Sequence, residues 1–156
     1  MRLGAHISIS KGYEHAVKVA LSIGATTVQF FSRNPRGGSA KALDPADLRR
    51  SKILCEENDF GPLVAHAPYT LNFASTKKET VEFAKMILRA DLERLNLANA
   101  HYIVLHPGSH LGKGIEEGVR KISAGLKEVV TGDEKVMVLL EAMSGSGSEV
   151  GYTFEQ

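Results

Sequence analysis

The sequence predicts an α/β fold with a parallel sheet, and three observations lead there. Short β-type runs alternate with segments of helical periodicity along all 156 residues. The runs are apolar enough to lie between covering layers. Each connection is long enough to carry a crossover helix, as parallel neighbours require.

The first run is Arg2–Ser8. The helix after it sets Tyr13, Ala16, Val17, Ala20 and Leu21 on one face and stops at Gly24. Thr27–Ser32 is the second run, and a loop rich in Gly and Pro follows, SRNPRGGSAK. The next helix opens at Asp44 with Pro45 in the first helical position, where the missing N–H is not needed. Leu48, Ile53, Leu54 and Cys55 are expected to supply most of its buried face. Leu63–Pro68 is the third run. Thr76 and Glu79 then predict a capping box, and Val81, Ala84, Leu88, Leu92 and Leu95 mark the core stripe of the helix it opens. Tyr102–His106 is the fourth run. A helix over residues 115–130 follows, locally weakened by Gly118 and Gly125. Val136–Leu140 is the fifth run and ends at Glu141, and Tyr152–Gln156 reads as the start of another helix.

With no linker, low-complexity tract or composition shift, residues 1–156 read as one piece of a single domain. No apolar run approaches the roughly 20 residues of a membrane span. The start, MRLGAHISIS, lacks the apolar region of a signal peptide. Cys55 is the only cysteine, which excludes an internal disulfide and is read as a small buried hydrophobe. These features predict a cytoplasmic protein without membrane partners. Nineteen basic residues against 18 acidic ones leave a net charge of +1, so no overall field argues for nucleic acid.

A doubly wound sheet would carry a phosphate-binding Gly-rich turn after the first strand, which HISISKG matches poorly. Functional groups of a β/α barrel sit at the C-terminal ends of its strands. Here those ends carry His6, His66, His106 and Glu141. The prediction is therefore a TIM-type (β/α) barrel of about five βα units of eight, an incomplete barrel, since closure takes at least about 200 residues. His66, His106 and Glu141 would share one rim as a zinc triad with a fourth position for water. Singly, each is as readily a hydrogen-bonded structural residue; jointly, that explanation must hold three times. His15 reads as surface and His101, at the opposite rim, as structural. His110, four residues past His106, either supports a ligand from the loop or serves the loop itself. Lys11, Arg33 and Lys41 face solvent or touch phosphate.

The segments GAHIS (4–8), FSRNPRGG (31–38), HAPYTLN (66–72), LHPGSH (105–110) and LLEAMSGSGSEVG (139–151) resemble, in order, those of the endonuclease IV family of zinc-dependent apurinic/apyrimidinic endonucleases. The resemblance covers essentially the whole chain. It implies an eight-stranded barrel with three zinc ions that cleaves double-stranded DNA 5′ to an abasic site in base-excision repair. It also implies that His66 and His106 bind one zinc and that Glu141, the catalytic candidate, bridges to a second. Arg36 resembles a residue inserted into the DNA, Tyr69 one that contacts it near the lesion, and His6 one that supports a ligand without binding metal. Family chains are nearly twice as long, and Ala142-Met143 stand where many relatives carry a polar residue. The expectation is little or no endonuclease activity from this chain alone, and self-association, pairing with a complementing fragment through open strand edges, or partial disorder. A metal-dependent sugar isomerase or epimerase, which HPGSH disfavours, and a non-catalytic zinc-binding fragment are the alternatives.

Overall fold

A computed structural model describes residues 1–156. Five parallel strands form the main sheet: β1 (Gly4–His6), β2 (Thr27–Phe31), β3 (Leu63–His66), β4 (Tyr102–Leu105) and β6 (Met137–Leu140). They lie side by side in chain order, with no reversal. A doubly wound sheet has a point where that order reverses; this one runs as a barrel wall does. The helices are α1 (Tyr13–Ser22), α2 (Pro45–Glu57), α3 (Lys78–Leu97) and α4 (Ile115–Lys127). None is long and apolar enough to cross a membrane.

The strand residues divide by parity. Val28, Phe30, Leu63, Ala65, Ile103 and Leu105 are buried and join the helix residues Val17, Ala84, Leu88, Leu92 and Leu95 in one core. The intervening residues Gln29, Phe31, Val64, Tyr102 and Val104 are only half-buried. The runs are apolar on both faces, as expected, but helices cover only one of them. His6, His66, His106 and Glu141 share the parity of the open face, because side chains alternate along a strand.

The local predictions fare unevenly. Asp44 does cap α2, its carboxylate accepting from Ala46 N at 2.9 Å, with Pro45 first in the helix. Ile53, however, is exposed; Leu48, Leu54 and Cys55 pack against the core and Ser51 is the buried residue of that helix. The expected Thr76–Glu79 capping box does not form. Ser75 Oγ accepts from Lys77 N at 3.1 Å, and this turn delays the helix to Lys78, leaving Thr76 outside its first turn. Helix α4 ends at Lys127, short of Val130, and residues 152–156 form turns rather than a helix. Gln156 Oε1 folds that tail back by accepting from Gly151 N at 2.8 Å.

Some features have no local signal. Helix α1 starts at Gly12 (φ 107°), which has no capping side chain of its own. Asp47 of α2 supplies the cap, accepting from Tyr13 N at 2.7 Å and Glu14 N at 3.2 Å. A second, antiparallel sheet joins β5 (Gly108–Ser109) to β7 (Glu149–Val150) and ties the loops after β4 and β6 together. Gly118 and Gly125, read as weak points, are close-packing sites: an added Cβ would stand 2.8 Å from Val150 Cγ2 and 2.7 Å from Phe73 Cδ1 respectively.

Candidate metal centre

Ladder bonds continue past the strand ends and aim the site. Ser32 N donates to His66 O, Ala67 N to Val104 O and Glu141 N to Leu105 O. His66, His106 and Glu141 thereby meet at the C-terminal edge of β3, β4 and β6. Glu141 Oε2 stands 3.0 Å from His66 Nε2 and 3.3 Å from His106 Nε2, and one donor atom from each residue falls within 4.8 Å of the others. Donors about 2.0–2.2 Å from a tetrahedral ion stand about 3.3 Å apart; the two Glu141 distances match this, and the three groups form a possible metal site. Nδ1 of His66 donates to Ala67 O at 2.7 Å, which leaves Nε2 facing Glu141. His66 is buried, while the Glu141 side chain is 43% exposed, so the centre opens on its carboxylate side.

Aromatic rings surround the imidazoles. Tyr69, exposed, lies 5.4 Å from the His66 ring and 5.3 Å from that of His106. Phe31, which no sequence argument singled out, packs against His66 at 5.4 Å and Tyr69 at 5.2 Å. His6 stacks on Phe31 at 4.4 Å, and its Nδ1 lies 3.2 Å from Gln29 Oε1. It therefore reaches His66 only through Phe31.

The remaining candidates are dispersed. Arg36 is exposed in the loop after β2, its amide bonded to Asn34 Oδ1. Tyr69 N donates to Pro35 O at 3.0 Å, joining that loop to the end of β3. His110 Nδ1 accepts from Gly114 N at 3.1 Å, within its own loop. His101 accepts from Leu63 N at 3.3 Å, a structural role, and His15 is exposed. Arg33 neither faces solvent nor stands free for phosphate: its side chain is 6% exposed and paired with buried Asp91 at 2.6 Å. Lys41 Nζ donates to Ser10 O at 3.3 Å. Asn72, also missed, holds β5 against the loop after β3, accepting from Ser109 N and donating to Ser109 O, both at 3.0 Å.

Residues 17–156 match the family model described as a xylose isomerase-like TIM barrel. The chain belongs to this family.

Within the xylose isomerase-like barrels its relatives are specific. The protein named Probable endonuclease 4 of Heliobacterium modesticaldum is 63% identical over 156 residues, all of this chain and 56% of the relative. Its namesake in Akkermansia muciniphila is 49% identical over 154 residues, 99% of this chain and 56% of the relative. The crystal structure of endonuclease IV from Thermus thermophilus superposes with a TM-score of 0.83 at 33% identity, covering 99% of this chain and 56% of that one. These matches bear out the endonuclease IV resemblance carried by the motifs. A D-tagatose 3-epimerase-like protein shares the fold alone, at 18% identity and a TM-score of 0.72. The chain spans about half the length of the curated relatives it matches.

Proposed function

We propose that the chain carries the N-terminal part of a zinc-dependent endodeoxyribonuclease of base-excision repair, which hydrolyses the phosphodiester 5′ to abasic sites in double-stranded DNA. The observation that carries this reading is the triad His66, His106 and Glu141 at adjacent strand ends, beside exposed Tyr69, in a chain so similar to proteins named Probable endonuclease 4.

His66, His106 and Glu141 would hold zinc, with Glu141 as the residue that would also serve a second ion. Zinc bound there supplies Lewis acidity toward a phosphoryl oxygen. The protein contributes a buried His66 imidazole, packed against Phe31 and Tyr69, and a solvent-facing carboxylate side where a phosphodiester approaches. Tyr69 offers an exposed ring on which a base or sugar can stack. Arg36, at the exposed turn of an anchored loop, enters the groove of a duplex that lacks a base. His6 steadies His66 through Phe31, and His110 shapes the loop after His106.

Three donors make the ligand set of one ion, whereas in-line phosphoryl displacement by a cluster uses more than one. The isolated chain accordingly binds zinc and abasic DNA and cleaves weakly or not at all. The free edges of β1 and β6 support association with a second copy or with a complementing fragment. A cytoplasmic location accords with the unpaired Cys55. The epimerase likeness, confined to fold, adds no support for sugar chemistry.

The test pairs zinc content with cleavage of an abasic duplex, with and without zinc, for the chain and its His66→Ala and His106→Ala variants. Stoichiometric zinc lost in both variants supports the centre. Undiminished zinc in both would remove it, and zinc without any affinity for the abasic duplex would leave a metal-binding fragment only.

A further inference from the structure

Asp91 is the one buried carboxylate of the chain, fully out of solvent on α3. A carboxylate persists in such a place only when its oxygens are filled by donors. Both sets of donors come from the loop after β2. Ser32 Oγ donates to Oδ2 at 2.7 Å, and Arg33 donates to Oδ1 from Nε at 2.9 Å and Nη2 at 2.6 Å. Arg33 Nη1 then reaches the far end of the same loop, donating to Gly38 O at 2.6 Å. Asn34 N closes the loop on Ser39 O at 3.0 Å. Gly38 lies flat on α3, where a Cβ would stand 3.0 Å from Phe83 Cζ. Between these anchors sit Pro35, whose carbonyl accepts from Tyr69 N, and Arg36.

We infer that Asp91 is a positioning residue for the Arg36–Tyr69 arm: through Arg33 and Ser32 its carboxylate holds the loop 32–39 in one pose beside the end of β3. The inference rests on the proposed role of Arg36 and Tyr69 in meeting DNA, and adds the residue that sets their pose without touching DNA or metal. The chemistry explains the choice of arginine. One planar guanidinium serves the carboxylate with two donors and the Gly38 carbonyl with a third, which a lysine ammonium cannot do in that fixed geometry. Ser32 also donates its amide to His66 O at 3.1 Å, so the loop begins from the backbone of the proposed metal ligand.

The test compares the chain with its Asp91→Asn and Arg33→Lys variants in three measurements: amide exchange, zinc affinity and affinity for an abasic duplex. Expected are at least about tenfold faster exchange at Tyr69 and residues 34–39 with unchanged exchange at Ile103 and Leu105, and duplex affinity about tenfold weaker. Zinc affinity should shift by less than the roughly tenfold that follows loss of a ligand's own hydrogen-bond partner. If Asp91→Asn does not fold, Arg33→Lys decides by the same readouts. Unchanged exchange at Tyr69 and the loop in a folded variant overturns the inference, as does loosening that extends equally to Ile103 and Leu105. If the parent chain has no affinity for the abasic duplex, the DNA reading fails by itself, and the exchange pattern still decides whether Asp91 holds the arm.

Discussion

Glu141 Oε2 meets His66 Nε2 at 3.0 Å although 75 residues separate the two along the chain. Nothing local brings them together. The contact exists because β3, β4 and β6 are parallel neighbours: the register sets His66 beside Val104 and Leu105 beside Leu140, and His66, His106 and Glu141 share the parity of the open face at the strand ends. The side chains are therefore held by the sheet before any ligand arrives, which lowers the entropy lost on binding.

Zinc should accordingly stabilise the fold. At a hundredfold excess over its dissociation constant the gain is about 2.7 kcal/mol, read as a higher melting temperature that a chelator reverses. His66→Ala should abolish the zinc-dependent gain. His101→Ala, which changes a histidine bonded to Leu63 N at the other end of the sheet, should keep it.

Arg36→Ala should weaken binding to an abasic duplex and leave zinc content unchanged. If the guanidinium meets phosphate as well as the lesion, the slope of log affinity against log salt falls by about 1. Titrations at several salt concentrations measure both effects. An unchanged affinity and slope would leave Arg36 a solvated loop charge.

Tyr13 sets an alkaline limit. Its hydroxyl is buried without a partner, and burial raises the phenol from 10.0 to about 12. The fold favours the neutral form, so this contribution to stability is complete below pH 10 and is lost as pH climbs through about 12. Tyr13→Phe removes the unpaired hydroxyl, should change stability near neutrality by less than about 1 kcal/mol, and should flatten the loss above about pH 10. Denaturant titrations across that range report it.

Gly125→Ala should destabilise the chain. Helix propensity alone promises a gain of about 1 kcal/mol, but the new methyl would stand 2.7 Å from Phe73 Cδ1, and Phe73 is fully buried. Overpacking of this kind costs about 1–3 kcal/mol. Chemical denaturation decides the sign.

What could be read from the chain and what could not divide along physical lines. The βα order, the Asp44–Pro45 helix start and the strand-end triad were legible because each depends on periodicity or on adjacent residues. Strand-end position placed His66, His106 and Glu141 on one rim once the strands were right. The Asp47 cap on α1, the Asn72 clamp and the Asp91–Arg33 pair were not, since partners 33 to 58 residues apart have no local pattern. The Thr76 cap failed for the opposite reason: a plausible local motif lost to the Ser75 turn one residue earlier. Gly118 and Gly125 were misread because a missing side chain looks like weakness until its neighbours are known.

Strand β6 pairs with β4 alone, so its other side presents free backbone groups right up to the residue before Glu141. A polypeptide that zips onto this margin as a sixth strand would take hold of the chain one peptide unit from the proposed metal donor Glu141. Assembly and ligand geometry thus share a single seam. Under the proposed reading, zinc affinity would gauge what is docked along β6, even when the partner never approaches the imidazoles.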